Sequence, residues 1–233
     1  MVELSPCALK IHSVSEMKAY DGFYNRHIKR FLGLFLALPF LLLALPLYVL
    51  ISLAIWIEDG FPIFYHPLRG GYKNKPFRIF KFRTMVKNAD KIGGGTTADH
   101  DPRITKVGNF LRKTKLDETA NLINILRGTM SFVGPRPELL QYTEQYRGNE
   151  LEILEVRPGV TDFSCLEFIN LDEIVGSVNA DEMYEKYVLK RKNELRIKYA
   201  ETVSLKTDAI IFFRTVSKVL NKAFGFVFRR EHR

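Results

Sequence analysis

A chain of 233 residues with 46% apolar and 12% aromatic side chains has ample material for a packed core, which excludes a disordered polymer. Its two cysteines, Cys7 and Cys165, exclude a disulfide scaffold and a four-cysteine zinc site and suit a reducing compartment. With 35 Lys and Arg against 26 Asp and Glu, the net charge of +9 calls for an anionic partner: nucleic acid, anionic lipid or a phosphorylated substrate.

Residues 1–22 lack clear periodicity and read as an N-terminal tail. Residues 23–58 read as a membrane element, because no charged residue occurs from Phe31 to Ile57. As one straight helix that run would reach about 40 Å, enough to cross a hydrocarbon core of ~30 Å. Pro39 and Pro46 complicate a simple crossing, since each removes a backbone donor and bends a helix. A break at Pro46 leaves halves of about 22 and 18 Å, and neither spans. Basic residues flank both ends, with Arg26, Lys29 and Arg30 before and Arg69, Lys73, Lys75 and Arg78 after. A spanning helix would put one group outside, against the positive-inside tendency, whereas a re-entrant helix–break–helix keeps both on the cytosolic side. A kinked spanning helix is the alternative, since prolines are tolerated in membrane helices. A cleaved signal peptide does not fit the long charged leader and long apolar run.

Residues 59–233 read as a cytosolic-face domain. Between Gly60 and Lys115 lie 13 basic residues opposed only by Asp90, Asp99 and Asp101, a net +10, so the rest of the chain sums to −1. Such a segment is either a solvated basic surface or one that meets phosphate or lipid. Phe77 to Phe82 alternates like a strand, with Lys81 and Arg83 sharing a face opposite Phe80 and Phe82, and a short β-hairpin is expected around Phe77–Met85. The run Gly93–Thr97 reads as a flexible loop, Val107–Arg112 as helix, and Leu116–Arg127 as a helix stopped by Gly128. Gly134-Pro135-Arg136-Pro137 is a rigid loop, Glu138–Arg147 a helix, Arg157-Pro158-Gly159 a turn, and Met183–Leu195 a helix. Ala209 to Phe228 places Arg214, Lys218 and Lys222 four residues apart beside a bulky apolar face. That pattern fits a helix in the headgroup plane or one packed on the core. The fold class is α+β, a compact helix-rich domain.

Chemistry concentrates at Asp117-Glu118. In the first turn of a helix, among Arg112, Lys113 and Lys115, such a carboxylate is expected to stay ionised. It is then a nucleophile toward phosphorus or a hard ligand for Mg²⁺, or simply an ordinary capping residue. The histidines are isolated, and His100-Asp101 alone makes no metal site. Cys165 reads as packed, and no Walker-type or dinucleotide-type glycine motif occurs.

Four strings in order, Phe80–Met85 (FKFRTM), Leu116-Asp117-Glu118, Gly128–Pro137 (GTMSFVGPRP) and Arg157–Thr161 (RPGVT), resemble the bacterial sugar transferase family. These are small monotopic phosphoglycosyl transferases, and the likeness runs from about Tyr24 to Leu220. It implies transfer of a sugar phosphate from a UDP-sugar to polyprenol phosphate, with UMP released. It further implies a covalent intermediate on Asp117, with Glu118 its dyad partner, Mg²⁺ held by Asp117 and Glu118, and a re-entrant membrane element. Arg112, Arg136 and Arg157 are candidate phosphate clamps, because guanidinium matches phosphate oxygens in pairs, with Lys81 and Arg83 behind them. Asp208 aligns with a family acid near the active site. The expected setting is the cytoplasmic face of a bacterial inner membrane, with membrane lipid but no nucleic acid as partner and a homodimer allowed. The sequence departs from the family at Leu45-Pro46, where a Ser-Pro pair is usual, and at Thr161-Asp162-Phe163, where Thr-Gly-Trp is common. The competing class is a non-catalytic, membrane-anchored module that binds anionic lipid or nucleic acid through the basic segment.

Overall fold

A computed structural model describes residues 18–92, 101–169, 171 and 180–229. Most of the tail, the Gly93–Thr97 loop, and Asp99 and His100 lie outside the described residues.

The apolar run forms one helix, α1 (Lys29–Asp59), entered through a π turn at Tyr24–Ile28. Both prolines lie inside it, so the helix expected to be broken at Pro46 is continuous there. Packing supplies the missing stability. Lys29, Gly33, Ala37, Tyr48, Ile51 and Ile55 are buried, and Leu41 and Ala44 partly so, giving one stripe at three- and four-residue spacing along the whole helix. Gly33 lets the helix approach Ile125, whose side chain lies 3.5 Å from where a Cβ would sit. The opposite face is bare, and Leu43 is 80% exposed.

Both ends of α1 are tied to the same domain by polar contacts. At the start, Lys29 pairs with Asp208 (3.2 Å), and Arg30 donates to the Ile125 and Leu126 carbonyls. At the end, the Glu58 carboxylate accepts from the Lys106 and Val107 amides (2.7 and 2.9 Å), and Asp59 pairs with Arg83 (3.0 Å). Glu58 thus caps helix α2 (Lys106–Thr114) from another element, beside the usual Thr105 cap.

The expected hairpin is present and longer than the sequence indicates. Strands β1 (Phe64–Tyr65), β2 (Leu68–Arg69), β3 (Phe77–Arg78) and β4 (Lys81–Phe82) pair β1 with β4 and β2 with β3. The register is common to both ladders, so residues 64–82 form one antiparallel ribbon closed through Gly70–Lys75. The Gly/Pro-rich stretch after α1 is therefore its first arm. Asn124 of helix α3 (Asn121–Arg127) locks the second arm, accepting from the Phe80 amide (2.7 Å) and donating to the Arg78 carbonyl (2.8 Å).

Strand β5 (Ser131–Val133) pairs in parallel with β6 (Gly159–Thr161), which lays the Gly-Pro-Arg-Pro loop beside Arg-Pro-Gly. Glycine is needed here for approach. A Cβ on Gly159 would fall 2.1 Å from the Gly134 amide nitrogen. After β5 the chain makes only a short helix, α4 (Leu140–Thr143), and a 3-10 stretch at Gly148–Glu155, in place of the helix expected over Glu138–Arg147. Helix α5 (Phe163–Glu167) follows β6. Then come α6 (Ala180–Tyr184), a π turn at Glu185–Leu189, α7 (Lys190–Glu201) and the long α8 (Leu205–Arg229). On α8, Lys218 and Lys222 donate to the Leu166 and Ile169 carbonyls (2.9 and 3.1 Å), while Ile210, Phe213, Val216, Leu220 and Phe224 are exposed. Two of the three basic residues of the stripe thus hold the helix to the domain, and an apolar stripe faces outward.

Candidate active site

Asp117 and Glu118 sit on a 3-10 turn (Leu116–Glu118) between α2 and α3, not in the first turn of a long helix. The turn exists because Lys115 takes a left-handed conformation (φ 59°) that ends α2. The two side chains meet opposite fates. Glu118 accepts from Lys81 Nζ (3.0 Å) and receives the Arg136 guanidinium in a two-pronged grip, with Nη1 at 2.9 Å from Oε2 and Nη2 on Oε1. Asp117 is buried, 7% exposed, and its Oδ1 has no hydrogen-bond partner. An unmet buried carboxylate oxygen is costly and rare, and calls for an explanation.

The electrostatics follow the contacts. Burial raises the Asp117 pKa, the Glu118 charge raises it further, and Lys81, Lys115 and Arg112 offset only part of this. The sequence expectation that helix and cations favour the Asp117 carboxylate is therefore opposed by burial, which moves its pKa upward. Desolvation wins, and no backbone amide reaches Oδ1. Burial would raise Glu118 as well, but Arg136 and Lys81 outweigh it and hold that carboxyl well below its usual range. In return, Glu118 raises the Arg136 pKa, while burial lowers that of Lys81.

These groups line a cavity of about 950 Å³. Seven of the 13 basic residues in the Gly60–Lys115 segment line it: Arg69, Lys81, Arg83, Lys87, Arg103, Arg112 and Lys115. About half of the basic segment is thus folded around a cavity, while Lys73, Lys75, Arg78, Lys91, Lys106 and Lys113 are exposed; the cavity half argues against a purely solvated basic surface. Such a cavity concentrates phosphorylated ligands.

Each expected site residue can now be placed. Lys81, Arg112, Asp117, Glu118 and Arg136 converge, with Arg112 Nε held by the Thr84 hydroxyl (2.9 Å). Arg83 lines the cavity too, but its Nη2 is spent on Asp59 and the carbonyls of Asp59 and Gly60, so it joins the end of α1 to the site. Arg157 is not in the lining. It stacks over the Tyr72 ring (5.4 Å) and lies near enough to Lys29 and Arg30 to act on their charges. Asp208 is also outside, bound by Tyr24 (2.7 Å), Tyr199 and Lys29 as the anchor of the N-terminal helix. Cys165 is packed as expected, its thiol pushed up to about 12 by burial. Sequence reading missed Asp162. Fully buried, it accepts from the Arg136 amide (2.9 Å), the Cys165 amide (2.8 Å) and the Ser164 hydroxyl (2.6 Å), fixing the arginine loop. Its place two residues before an Ser-Cys step is an N-cap pattern that could have flagged it.

Among the described residues no cluster of three or more His, Cys, Asp or Glu could hold a metal ion. The orphaned Asp117 Oδ1 is a hard carboxylate oxygen of the kind that holds Mg²⁺, an ion usually bound through one or two carboxylates. Glu118 fits less well, since both its oxygens already accept from Lys81 and Arg136.

Comparison with known proteins agrees with this geometry. The family model "Bacterial sugar transferase" matches residues 24–222. The chain is 37% identical over 208 residues to the UDP-glucose:undecaprenyl-phosphate glucose-1-phosphate transferase of Escherichia coli K12, covering 85% of this chain and 42% of that protein. It is 40% identical over 124 residues to a putative undecaprenyl-phosphate N-acetylgalactosaminyl 1-phosphate transferase of Bacillus subtilis, covering 53% of this chain and 69% of that one. An uncharacterized sugar transferase of the same organism, EpsL, is 34% identical over 83% of this chain and 87% of its own length. The chain thus spans about two-fifths of the Escherichia coli relative and most of EpsL. It belongs to the bacterial sugar transferase family.

Proposed function

We propose that the protein is a membrane-associated phosphoglycosyl transferase that moves a sugar phosphate from a UDP-sugar to polyprenyl (undecaprenyl) phosphate, releasing UMP. The observation that carries this reading is the buried, unpartnered Asp117 Oδ1 beside a cation-held Glu118 on the wall of a basic cavity. The Asp117 carboxylate attacks the donor phosphorus that bears the sugar. An oxygen–phosphorus bond forms, the bond from that phosphorus to the bridging oxygen breaks, and UMP leaves with the bridging oxygen and its electron pair. A phosphate oxygen of the lipid acceptor then attacks the same phosphorus, giving a lipid diphosphosugar and restoring the carboxylate.

Like-charge repulsion is the main obstacle, and the chain's own cations meet it. Glu118 pairs with Lys81 and Arg136. An arriving diphosphate competes for the same donors, so Glu118 keeps them ionised and aimed until substrate comes. Arg112 and Lys115 face the same space. Mg²⁺ held by Asp117 would supply positive charge that offsets phosphate repulsion.

The tethering of both α1 ends to one domain supports a monotopic seat on the cytoplasmic face of the inner membrane, with the continuous α1 docked along the domain and its bare apolar face toward lipid. A helix spanning the bilayer would carry one of these polar ends to the far side. In this reading the enzyme acts at the first membrane step of glycoconjugate assembly. The test is UMP release against a panel of UDP-sugars with polyprenyl phosphate and Mg²⁺, with intact-mass analysis when acceptor is omitted. Release with an adduct on Asp117 is expected; normal turnover with no trapped adduct would remove the covalent mechanism.

A further inference from the structure

We infer that the isoprenoid tail of the lipid acceptor reaches the cavity across helix α8, over a lip formed by Val216 and Leu220, and not along α1. The inference rests on the transferase reading and assigns the acceptor's path within it.

The cavity has two kinds of wall. One carries Asp117, Glu118 and the cations; another is apolar, formed by Phe212, Val216, Val219 and Leu220 of α8. Val216 and Leu220 line the cavity and are yet 40% and 49% exposed, so they stand at its rim. They also continue the outward apolar stripe of Ile210, Phe213 and Phe224. One helix therefore presents a mostly apolar surface from outside the domain to the chamber that holds the nucleophile, interrupted in the lining only by Thr215, whose hydroxyl is spent on Thr161. The wall is fixed in place. The Thr215 and Thr161 hydroxyls meet at 2.7 Å, tying α8 to β6, and Phe212 packs edge-on against Phe132 (6.0 Å). Helix α1 offers no such route, for all its apolar surface. None of its residues lines the cavity, and its buried stripe is filled by Phe82, Leu111, Ala120 and Ile125. A tail arriving there would have to part a packed core, whereas one crossing α8 keeps its chain on apolar surface while the phosphate advances toward cations.

The test uses the full-length protein in nanodiscs with a polyprenyl phosphate carrying a diazirine on its first isoprene units. Peptide mapping should find label within residues 212–220, removed by excess unlabelled polyprenyl phosphate but not by excess phosphatidylglycerol. Label confined to α1, or label on α8 that only phosphatidylglycerol removes, overturns the inference; the latter means simple bilayer contact. Val216→Trp and Leu220→Trp, both at exposed positions, give a second readout. The ratio of lipid transfer to acceptor-free exchange of labelled UMP into UDP-sugar should fall at least tenfold in each. An unchanged ratio in both overturns the route. Absence of exchange in the unsubstituted protein with every UDP-sugar would instead defeat the transferase reading itself.

Discussion

Two buried acids, Asp117 and Asp208, sit among cations, and their difference separates chemistry from architecture. Asp208 meets Lys29, Tyr24 and Tyr199, lies away from the cavity, and fastens α1 to α8. Asp117 has Lys81, Lys115 and Arg112 near enough to act on its charge, yet its Oδ1 has no partner and the space beside it is open. A buried carboxylate with every partner in place stabilises a fold. One left short of a partner at a cavity wall stores reactivity, because substrate or cation completes it.

The largest effect that would sharpen this contrast is loss of the proposed nucleophile. Asp117→Asn should lower UMP release by at least about 10³-fold while leaving thermal stability equal or higher, since a neutral amide avoids the buried charge. A turnover loss accompanied by unfolding would break the comparison. Asp208→Ala should do the reverse. Stranding Lys29 in a buried site costs about 3–5 kcal/mol, read as a lower denaturation midpoint in detergent, with kcat per folded molecule largely kept. Between these, Arg136→Lys should reduce kcat/KM by about 10–10²-fold, because lysine cannot reproduce the paired grip on Glu118 or on phosphate.

The pH profile gives a further discriminator. In the proposed reaction Asp117 must be deprotonated to attack, and burial raises its pKa, so activity should climb with pH through a midpoint above that of an ordinary aspartate. Glu118 acts in the opposite sense. Its depressed pKa gives stability present above the unfolded carboxyl value and lost as pH falls through the folded one, so on acidification activity should fail before the fold does. The smallest effect belongs to Arg157→Ala. Loss of one ring-stacking contact outside the cavity should alter KM for donor by less than about fivefold. A hundredfold loss would return this residue to the phosphate site.

The dyad, the apolar helix, the basic segment and a strand at Phe77–Phe82 were all legible, because each is a local pattern of charge or alternation. What misled was the environment. Asp117 reads as an ionised first-turn acid, but the chain ends α2 at Lys115 and turns before α3, so the carboxylate is buried without a helix amide. Pro46 reads as a break, but the packed stripe of α1 carries the helix through it. Asp208 aligns with a family acid and Arg157 reads as a phosphate clamp, while the structure pairs one with Lys29 and sets the other over Tyr72.

By itself, the sequence determined the family, the carboxylate pair and the membrane-seeking helix, since motif order, residue chemistry and an uncharged run are properties of the chain in one dimension. Only the tertiary structure decided which cations reach Glu118, that Asp117 stays unpartnered, and that seven basic side chains enclose one cavity. Those outcomes depend on desolvation and on contacts between residues far apart in the chain, which arise when α1, the ribbon, the β5–β6 pair and α8 pack together.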